Sequence, residues 1–463
     1  MSRPIRTHSN WADTLISCRN DAQVENIHTK DTVPFHLELG RKLKNYVEEN
    51  VYLKSFCGIM IPFVAALYST TITCWPQHNV ILYPEYWYEP LGPSIISTIM
   101  IAVPAQLIGC SLVMKINFLL TIKNMVIMFL SDTCAFVSSY ILVHIIWVYG
   151  AGYPHPMPFI GQFCWSIGAI MRTVSFWFLF PRDLRVDDKN FRRRIIAYFC
   201  FTPLNMFIAV AYSQLPSLFF IVPSNWQWCV GLLIPIFKKM NMFVNSKLAF
   251  KAAGSDEVSA RIVLICFVGS LHGLSVSLLL PNVTTTTAYV VIFLDSIPNI
   301  WSFFALIKLK KRDLGITNSK LNDDFLCFTV KELFELLVPL VYILSFVIAY
   351  YGPNAEIFGN VKNDYWQYEK VEDLSEKMNI LAAFILIDSI RGGIFAISLW
   401  ITCKLNMFEA YCTLVVKYGI MILVQLMRVM NPVICYYLIN LYDNLPNQKI
   451  LHSFIVFDMH LFL

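Results

Sequence analysis

Apolar runs of about 20 residues alternate with short polar segments over most of the chain, from residue 55 to residue 441. A run of this length is what an α-helix needs to cross the ~30 Å hydrocarbon core of a bilayer. The pattern therefore predicts an all-α, polytopic transmembrane helical bundle of about eleven spans, at residues 55–74, 94–113, 126–149, 159–181, 195–213, 217–237, 261–281, 287–307, 332–351, 378–400 and 414–441.

The segments outside the bundle differ from it in pattern. Residues 1–34 are polar and show no periodicity, which is typical of a mobile arm. Between residues 35 and 54, apolar side chains recur every fourth position with charged residues on the opposite side, which predicts an amphipathic helix on the membrane surface, with an interaction arm as the alternative. We expect a bundle at 55–441 and a C-terminal tail at 442–463.

Lysine and arginine accumulate in every second loop between the predicted spans. Basic residues precede the first span and follow the second, fourth, sixth and eighth, whereas the first loop and the short turns near residues 151, 214 and 282 have none. The acidic loop at 352–377 is the exception. Because basic loops stay on the cytosolic side, this alternation predicts a cytosolic N-terminus and an arm at 1–34 that is also cytosolic.

Composition supports a membrane location and excludes several functions. Apolar residues make up 57% of the chain and charged residues 14%, against about 25% charged residues in soluble domains. The net charge of +5 arises from loop residues, which favours anionic lipid headgroups and gives no case for nucleic acid. We expect an integral protein of the plasma membrane or an endomembrane of a eukaryotic cell, with the bilayer as partner and no cofactor or metal.

A few ionisable residues lie within the apolar runs, where a charge costs at least ~2.5 kcal/mol. Each therefore needs a partner, a hydrated cavity or a function. The substrate-binding candidates are Asp132, Asp295, Asp388 and Arg391. His144 and His272 are further titratable residues, which in apolar helices are more often packed and hydrogen-bonded than catalytic.

Asp388 and Arg391 are spaced to pair on one helical face, and Gly392 and Gly393 after them would admit a neighbouring helix closely. The pair either holds helices together or forms a site at which substrate or a proton competes. Asp295 precedes Pro298 by about one turn, and a proline at this depth can break a helix, as in ion-coupled transporters. An ordinary proline kink is the alternative.

Three apolar segments end in aspartate followed by serine or threonine, at residues 127–133, 291–297 and 384–390. An internal repeat would place a binding site between the repeated units. Chance similarity among apolar sequences is the alternative.

Two further features lie on predicted outer loops. Glu85 and Glu89 flank an aromatic sequence, which resembles the acidic loop of lipid-linked glycosyltransferases but is also typical of an interfacial aromatic belt. Asn282 begins an Asn-Val-Thr glycosylation sequence in a very short hairpin. No phosphate-binding loop, nucleophile elbow or metalloprotease motif is present in the sequence. Catalytic residues are therefore not assigned, and an enzyme is the less favoured class.

The segments at 226–241 and 331–360 carry Glu332, Glu335, Pro339 and a Pro353-Asn354-Ala355 turn. In these residues the C-terminal half resembles a group of polytopic membrane proteins found in oomycetes and other protists. The resemblance implies a many-helix architecture and no particular activity.

Three functional hypotheses remain open from the sequence. The first is a transporter or permease for a small solute, with a charged mid-membrane site. The second is a non-transporting receptor, scaffold or assembly partner that binds another membrane protein. The third is a membrane-embedded lipid-linked transferase.

Overall fold

The computed structural model describes residues 51–73, 103–114, 122–150, 160–180, 182–201, 226–254, 257–280, 283–312, 318–351 and 371–443, with a few single positions between them. The chain divides into the units Met1–Ser55 and Phe56–Leu463. Only the last residues of the first unit are described, so the predicted arm at 1–34 and most of the amphipathic helix at 35–54 lie outside the described residues. The predicted tail is described only to residue 443.

Within these ranges the chain is helical and contains no strand. The principal helices are α1 (Val51–Thr73), α2 (Val103–Met114), α3 (Ile122–Ile145), α4 (Ile160–Leu179), α5 (Gln227–Ala253), α6 (Glu257–Leu279), α7 (Thr285–Arg312), α8 (Asn318–Tyr351), α9 (Val371–Cys403) and α10 (Met407–Asp443). Residues 189–201 are also helical.

Five helical segments are long and apolar enough to cross a membrane. They are Lys123–Gly150, Val258–Ser277, Thr285–Lys311, Met378–Cys403 and Met407–Met427. Their lengths and composition agree with an α-helical membrane protein, because a span needs ~20 predominantly apolar residues.

Helix α6 lies at the centre of the packing. Its apolar window is 78% buried, whereas those of α3 and α9 are only 28% buried. Helix α6 packs against α5, α8 and α10, and helix α7 packs against α5, α8 and α9. A residue on α5 to α9 that faces inward therefore meets side chains from several neighbouring helices.

One predicted feature of the helices is wrong. The predicted span at 217–237 ends before a basic loop, but α5 continues through Lys238, Lys247 and Lys251 to Ala253. Lysine is a good helix former, and the helix stops at Gly254, which has φ +69° and donates its N–H to Phe250.

At Pro298 the sequence left a broken helix and an ordinary proline kink as alternatives. Helix α7 runs continuously through this proline from Thr285 to Arg312. A proline removes one backbone hydrogen bond, but neighbouring groups can satisfy the freed carbonyl in a packed bundle. Asp295 is thus held on a continuous helix.

Candidate functional site

Seven ionisable side chains from five successive helices meet in the interior of the bundle. They are Lys238 of α5, His272 of α6, Asp295 of α7, Glu332 and Glu335 of α8, and Asp388 and Arg391 of α9. We call this set the charge network. Its members are linked by five ion pairs and one histidine–carboxylate hydrogen bond, which are described next.

Lys238 joins α5 to both α7 and α8. Its Nζ donates to Asp295 Oδ1 at 3.1 Å and to Glu335 Oε1 at 3.0 Å. His272 Nε2 donates to the same Asp295 oxygen at 2.7 Å, and its side chain is only 1% exposed. Because a buried charge requires a partner of opposite sign, Lys238 and the two carboxylates depend on one another. Lys238, His272, Asp295 and Glu335 form the Lys238 half of the network.

Arg391 occupies the other end. Its Nη2 donates to Glu335 Oε2 at 2.7 Å and to Glu332 Oε2 at 3.4 Å, and its Nη1 donates to Ser296 Oγ at 3.0 Å. Nη1 also lies 2.8 Å from Asp388 Oδ1. The predicted pairing of Asp388 and Arg391 on one helical face is therefore present. Arg391, Asp388 and Glu332 form the Arg391 half.

Glu335 connects the two halves. One of its oxygens accepts from Lys238 and the other from Arg391. The side-chain amide of Asn299, one turn after Asp295 on α7, also donates to Glu335 Oε2. The planar guanidinium and the two carboxylate oxygens allow α7, α8 and α9 to share a single charged junction.

Acidic groups outnumber basic groups at this junction. Four carboxylates, those of Asp295, Glu332, Glu335 and Asp388, face the two cations Lys238 and Arg391. Lys331, on the turn before Glu335, adds a third positive charge at the edge. With His272 neutral, the network itself has four carboxylates against two cations, and Lys331 beside it reduces this excess from two carboxylates to one.

The unpartnered polar atoms are concentrated in the Arg391 half. Among the described residues, both carboxylate oxygens of Asp388, Glu332 Oε1 and Arg391 Nε are buried without a hydrogen-bond partner. Asp388 Oδ1 is close enough to Arg391 for an ion pair, but the angle is not that of a hydrogen bond. In the Lys238 half, no carboxylate oxygen of Asp295 or Glu335 is buried without a hydrogen-bond partner, whereas His272 Nδ1 is.

We expected a neighbouring helix to pack closely against Gly392 and Gly393, but no described helix does so. A Cβ atom added at either glycine would meet no described atom within 4 Å. The prediction of a close helix contact at this pair is wrong for the described part of the chain. The backbone just beyond Arg391 instead faces space that no described atom fills.

The charge network lies near the middle of the apolar helices. Asp295 is ten residues after Thr285, the first residue of its apolar segment, and Asp388 is ten residues after Met378. At 1.5 Å per residue, each lies about 15 Å from the start of its segment. This is roughly half of a 30 Å hydrocarbon core.

Three of the four predicted substrate-binding residues therefore come together, namely Asp295, Asp388 and Arg391. Asp132 lies elsewhere, because it is on α3 and its carboxylate packs on Gly168 of α4. The geometry thus separates the first of the three similar aspartate segments from the other two. The pattern of apolar residues in the sequence could not show that α3 packs apart from α7 and α9.

The contact between Asp132 and Gly168 leads to a prediction for Gly168→Ala. The added Cβ would lie 2.9 Å from Asp132 Oδ1, so the α3–α4 pair must separate or the carboxylate must move. We expect a loss of about 1–3 kcal/mol of stability, measured as lower thermal stability in detergent. Gly392→Ala is the matched control on an open helix surface, and equal stability of the two variants would contradict the expectation.

Sequence reasoning missed Lys238 and assigned Glu332 and Glu335 no site role. Lys238 lies among other lysines, which favoured a cytosolic loop, and only the helix register distinguishes it from exposed Lys239. The glutamates are three residues apart on one helical face, which was an available signal for a paired site. Lys331 was hidden because it also lies at the edge of an apolar run.

Other sequence candidates lie outside the described residues. These are the glycosylation candidate Asn282 and the acidic loop residues Glu85 and Glu89. Within the described part of the chain, no group of three or more His, Cys, Asp or Glu residues is arranged to hold a metal ion.

Comparison of the chain with protein-family models, curated proteins and solved structures gives no match. The resemblance to protist membrane proteins therefore stays a prediction. Any functional assignment must rest on the charge network itself.

Proposed function

We propose that this protein is a multi-pass membrane transporter or permease for a small solute, and that the solute binds in the Arg391 half of the charge network. The observation that carries the proposal is the group of buried, unpartnered polar atoms on Asp388, Glu332 and Arg391. An unmatched buried polar group costs about 1–3 kcal/mol. A polar ligand that enters between the helices would recover that energy.

In this proposal the Lys238 half of the network holds the helices together and the Arg391 half binds the solute. In the Lys238 half, a lysine and a histidine hold the carboxylate of Asp295 between α5, α6 and α7. This arrangement links three helices, and Asp295 Oδ1 already accepts two hydrogen bonds there. In the Arg391 half, the acceptor atoms of Asp388 and the donor Nε of Arg391 are unused, and these groups could bind a solute.

The proposed topology is a bundle of about eleven spans with a cytosolic N-terminus. Support comes from the basic loops of the sequence and from the five apolar helical segments. Helix α5 is 27 residues long, or about 40 Å, so Lys247 and Lys251 near its end would reach past a 30 Å core to the headgroups. Labelling of single cysteines introduced at residues 8 and 250 in sealed cells tests this orientation.

The experiment for function is uptake by proteoliposomes that contain the purified full-length chain. A panel of radiolabelled cationic, anionic and zwitterionic solutes is screened, and each solute that enters above empty liposomes is retested with Asp388→Asn and Asp295→Asn. We expect Asp388→Asn to reduce uptake at least about tenfold, the effect of losing ~1.4 kcal/mol of binding, while the protein stays folded. Unchanged uptake in both variants would refute the proposed site.

Asp295→Asn serves as the comparison because Asp295 Oδ1 already accepts from Lys238 and His272. Its replacement leaves Lys238 with one carboxylate instead of two, so the main expected effect is a loss of thermal stability. A variant that is unstable but transports normally per folded molecule would separate the two halves of the network. Size-exclusion chromatography in detergent measures the folded fraction.

A non-transporting receptor, scaffold or assembly partner is the second candidate, and the extent of the ion pairing favours it. Five ion pairs and one histidine–carboxylate hydrogen bond across five helices could serve packing alone. Exposed apolar residues on α9, such as Ile390, Ile394 and Ile397, could contact lipid or another membrane protein. This candidate predicts that Asp388→Asn alters stability or complex formation and that no solute in the panel is taken up.

The lipid-linked transferase remains a prediction of the sequence. It requires Glu85 beside a groove that opens to lipid. The location in the plasma membrane or an endomembrane of a eukaryotic cell is likewise part of the proposal, and fluorescence of a tagged full-length chain would test it.

A further inference from the structure

Asp388 is the one carboxylate of the charge network in which both oxygens are buried without a hydrogen bond to a described residue. Its side chain is 2% exposed, and neither oxygen has a hydrogen-bond partner among the described residues. By contrast, Asp295 accepts from a lysine and a histidine, and Glu335 accepts from a lysine, an arginine and an asparagine. An ionised carboxylate in such a site loses its hydration and gains only one ion pair.

The charged groups around Asp388 come from three helices. Arg391 is on its own helix, Glu332 and Glu335 face it from α8, and Asp295 faces it from α7. The charged residues of α10 with described side chains, Glu409 and Lys417, are exposed. Asp388 therefore meets one positive group and three acidic groups, and like charges at short range favour proton uptake by one of them.

We propose that Asp388 is a proton-binding site, and that the proton is the coupling ion of the transporter proposed above. The step is simple: the Asp388 carboxylate takes one proton from water and becomes a neutral carboxylic acid. No bond other than the O–H bond forms, and no electron is transferred. The excess of one carboxylate over the three cations is removed by this single proton.

Proton binding to Asp388 also changes which carboxylates attract the guanidinium of Arg391. With Asp388 ionised, the guanidinium lies between Asp388 on one side and Glu332 and Glu335 on the other. With Asp388 neutral, the attraction toward Asp388 is lost and the two glutamates remain. Arg391 then has two arrangements whose balance is set by one proton, which is what a coupled transporter requires.

Asp388 differs from Glu332 in a way that allows a matched control. Glu332 also has an unpartnered oxygen, but its Oε2 accepts from Arg391 Nη2. The proton is therefore assigned to Asp388, and Glu332→Gln should retain it but take it up at a lower pH, because one of the three acidic neighbours is lost.

The test is infrared difference spectroscopy of the purified full-length chain in lipid, recorded as the pH is changed from alkaline to acidic. The carbonyl stretch of a protonated carboxyl group reports the proton directly, and no solute is needed. We expect a band from a buried carboxylic acid in the wild type, its loss in Asp388→Asn, and its retention in Glu332→Gln. An unchanged band in folded Asp388→Asn would overturn the inference.

A second variant covers a failure of Asp388→Asn to fold. Asp388→Glu keeps the carboxyl group but alters its position, so the band should shift in frequency. A band that is identical in Asp388→Glu and in the wild type would again assign the proton to another group.

The inference rests on the proposed function, but the two can fail separately. Loss of the band in Asp388→Asn without any solute uptake would uphold the proton site and refute transport. Uptake that needs Asp388 without a proton-dependent band would uphold transport and refute the proton site. For any transported solute, an imposed pH gradient should accelerate uptake in the wild type and have no effect in Asp388→Asn.

Discussion

Lys238→Met is expected to destabilise the protein by about 3–5 kcal/mol, the usual cost of removing one partner from a buried ion pair. Methionine retains most of the length and apolar volume of the lysine stem, so the effect isolates the lost charge. Without Lys238 Nζ, Asp295 retains only His272, and one oxygen of Glu335 loses its donor. Thermal unfolding in detergent and the folded yield from membranes measure the loss.

The neighbouring residue provides the control. Lys239 is on the same helix but is exposed, and Lys239→Met should change stability by no more than about 0.5 kcal/mol, as is usual for surface substitutions. Similar stability of the two variants would mean that Lys238 does not bridge α5 to α7 and α8. Comparing Lys238→Met with Lys239→Met also tests directly whether Lys238 lies in the protein interior or in a basic loop.

Arg391→Met is expected to have a comparably large effect, again about 3–5 kcal/mol. The substitution leaves Glu332 without its hydrogen bond, deprives Glu335 of one of its two cations, and leaves Asp388 without its ion pair. Three carboxylates would then repel one another at close range in a medium of low dielectric constant. Loss of monodisperse protein on heating is the measurement.

Two comparisons identify the cause of this loss. Arg193 is exposed in the helical stretch 189–201, so Arg193→Met should be close to neutral. Adding Glu332→Gln to Arg391→Met removes one of the repelling charges and should recover part of the stability, because the two side chains are in contact. If the double variant is as unstable as the sum of the two single variants, electrostatic repulsion is not the cause.

The sequence was most informative about residues whose effect depends only on their own helix. Asp388 and Arg391 are three residues apart, and helix geometry alone places them on one face. Asp295 was identifiable because a carboxylate in the middle of an apolar run is rare and costly. For these residues, local spacing and burial cost were sufficient.

Lys238 and Glu335 depended on the tertiary structure. Both lie near predicted ends of apolar runs, where a charged residue is expected at the membrane surface. Which face of α5 or α8 points inward is decided by the neighbouring helices, because exposed Lys239 differs from buried Lys238 by a single step of the helix. Asp132 shows the reverse case, since it matched the sequence pattern but lies on α3 beside Gly168.

By itself, the sequence determined the helical class and predicted a membrane location, because long apolar runs can satisfy their backbone hydrogen bonds in lipid only as helices or closed barrels, and their length fits a helix. It also identified three of the seven side chains of the charge network as substrate-binding candidates. The tertiary structure decided that they meet, and that Lys238, His272 and the glutamates meet with them. The reason is physical: helix periodicity fixes neighbours along one helix, whereas contacts between helices depend on which faces pack together.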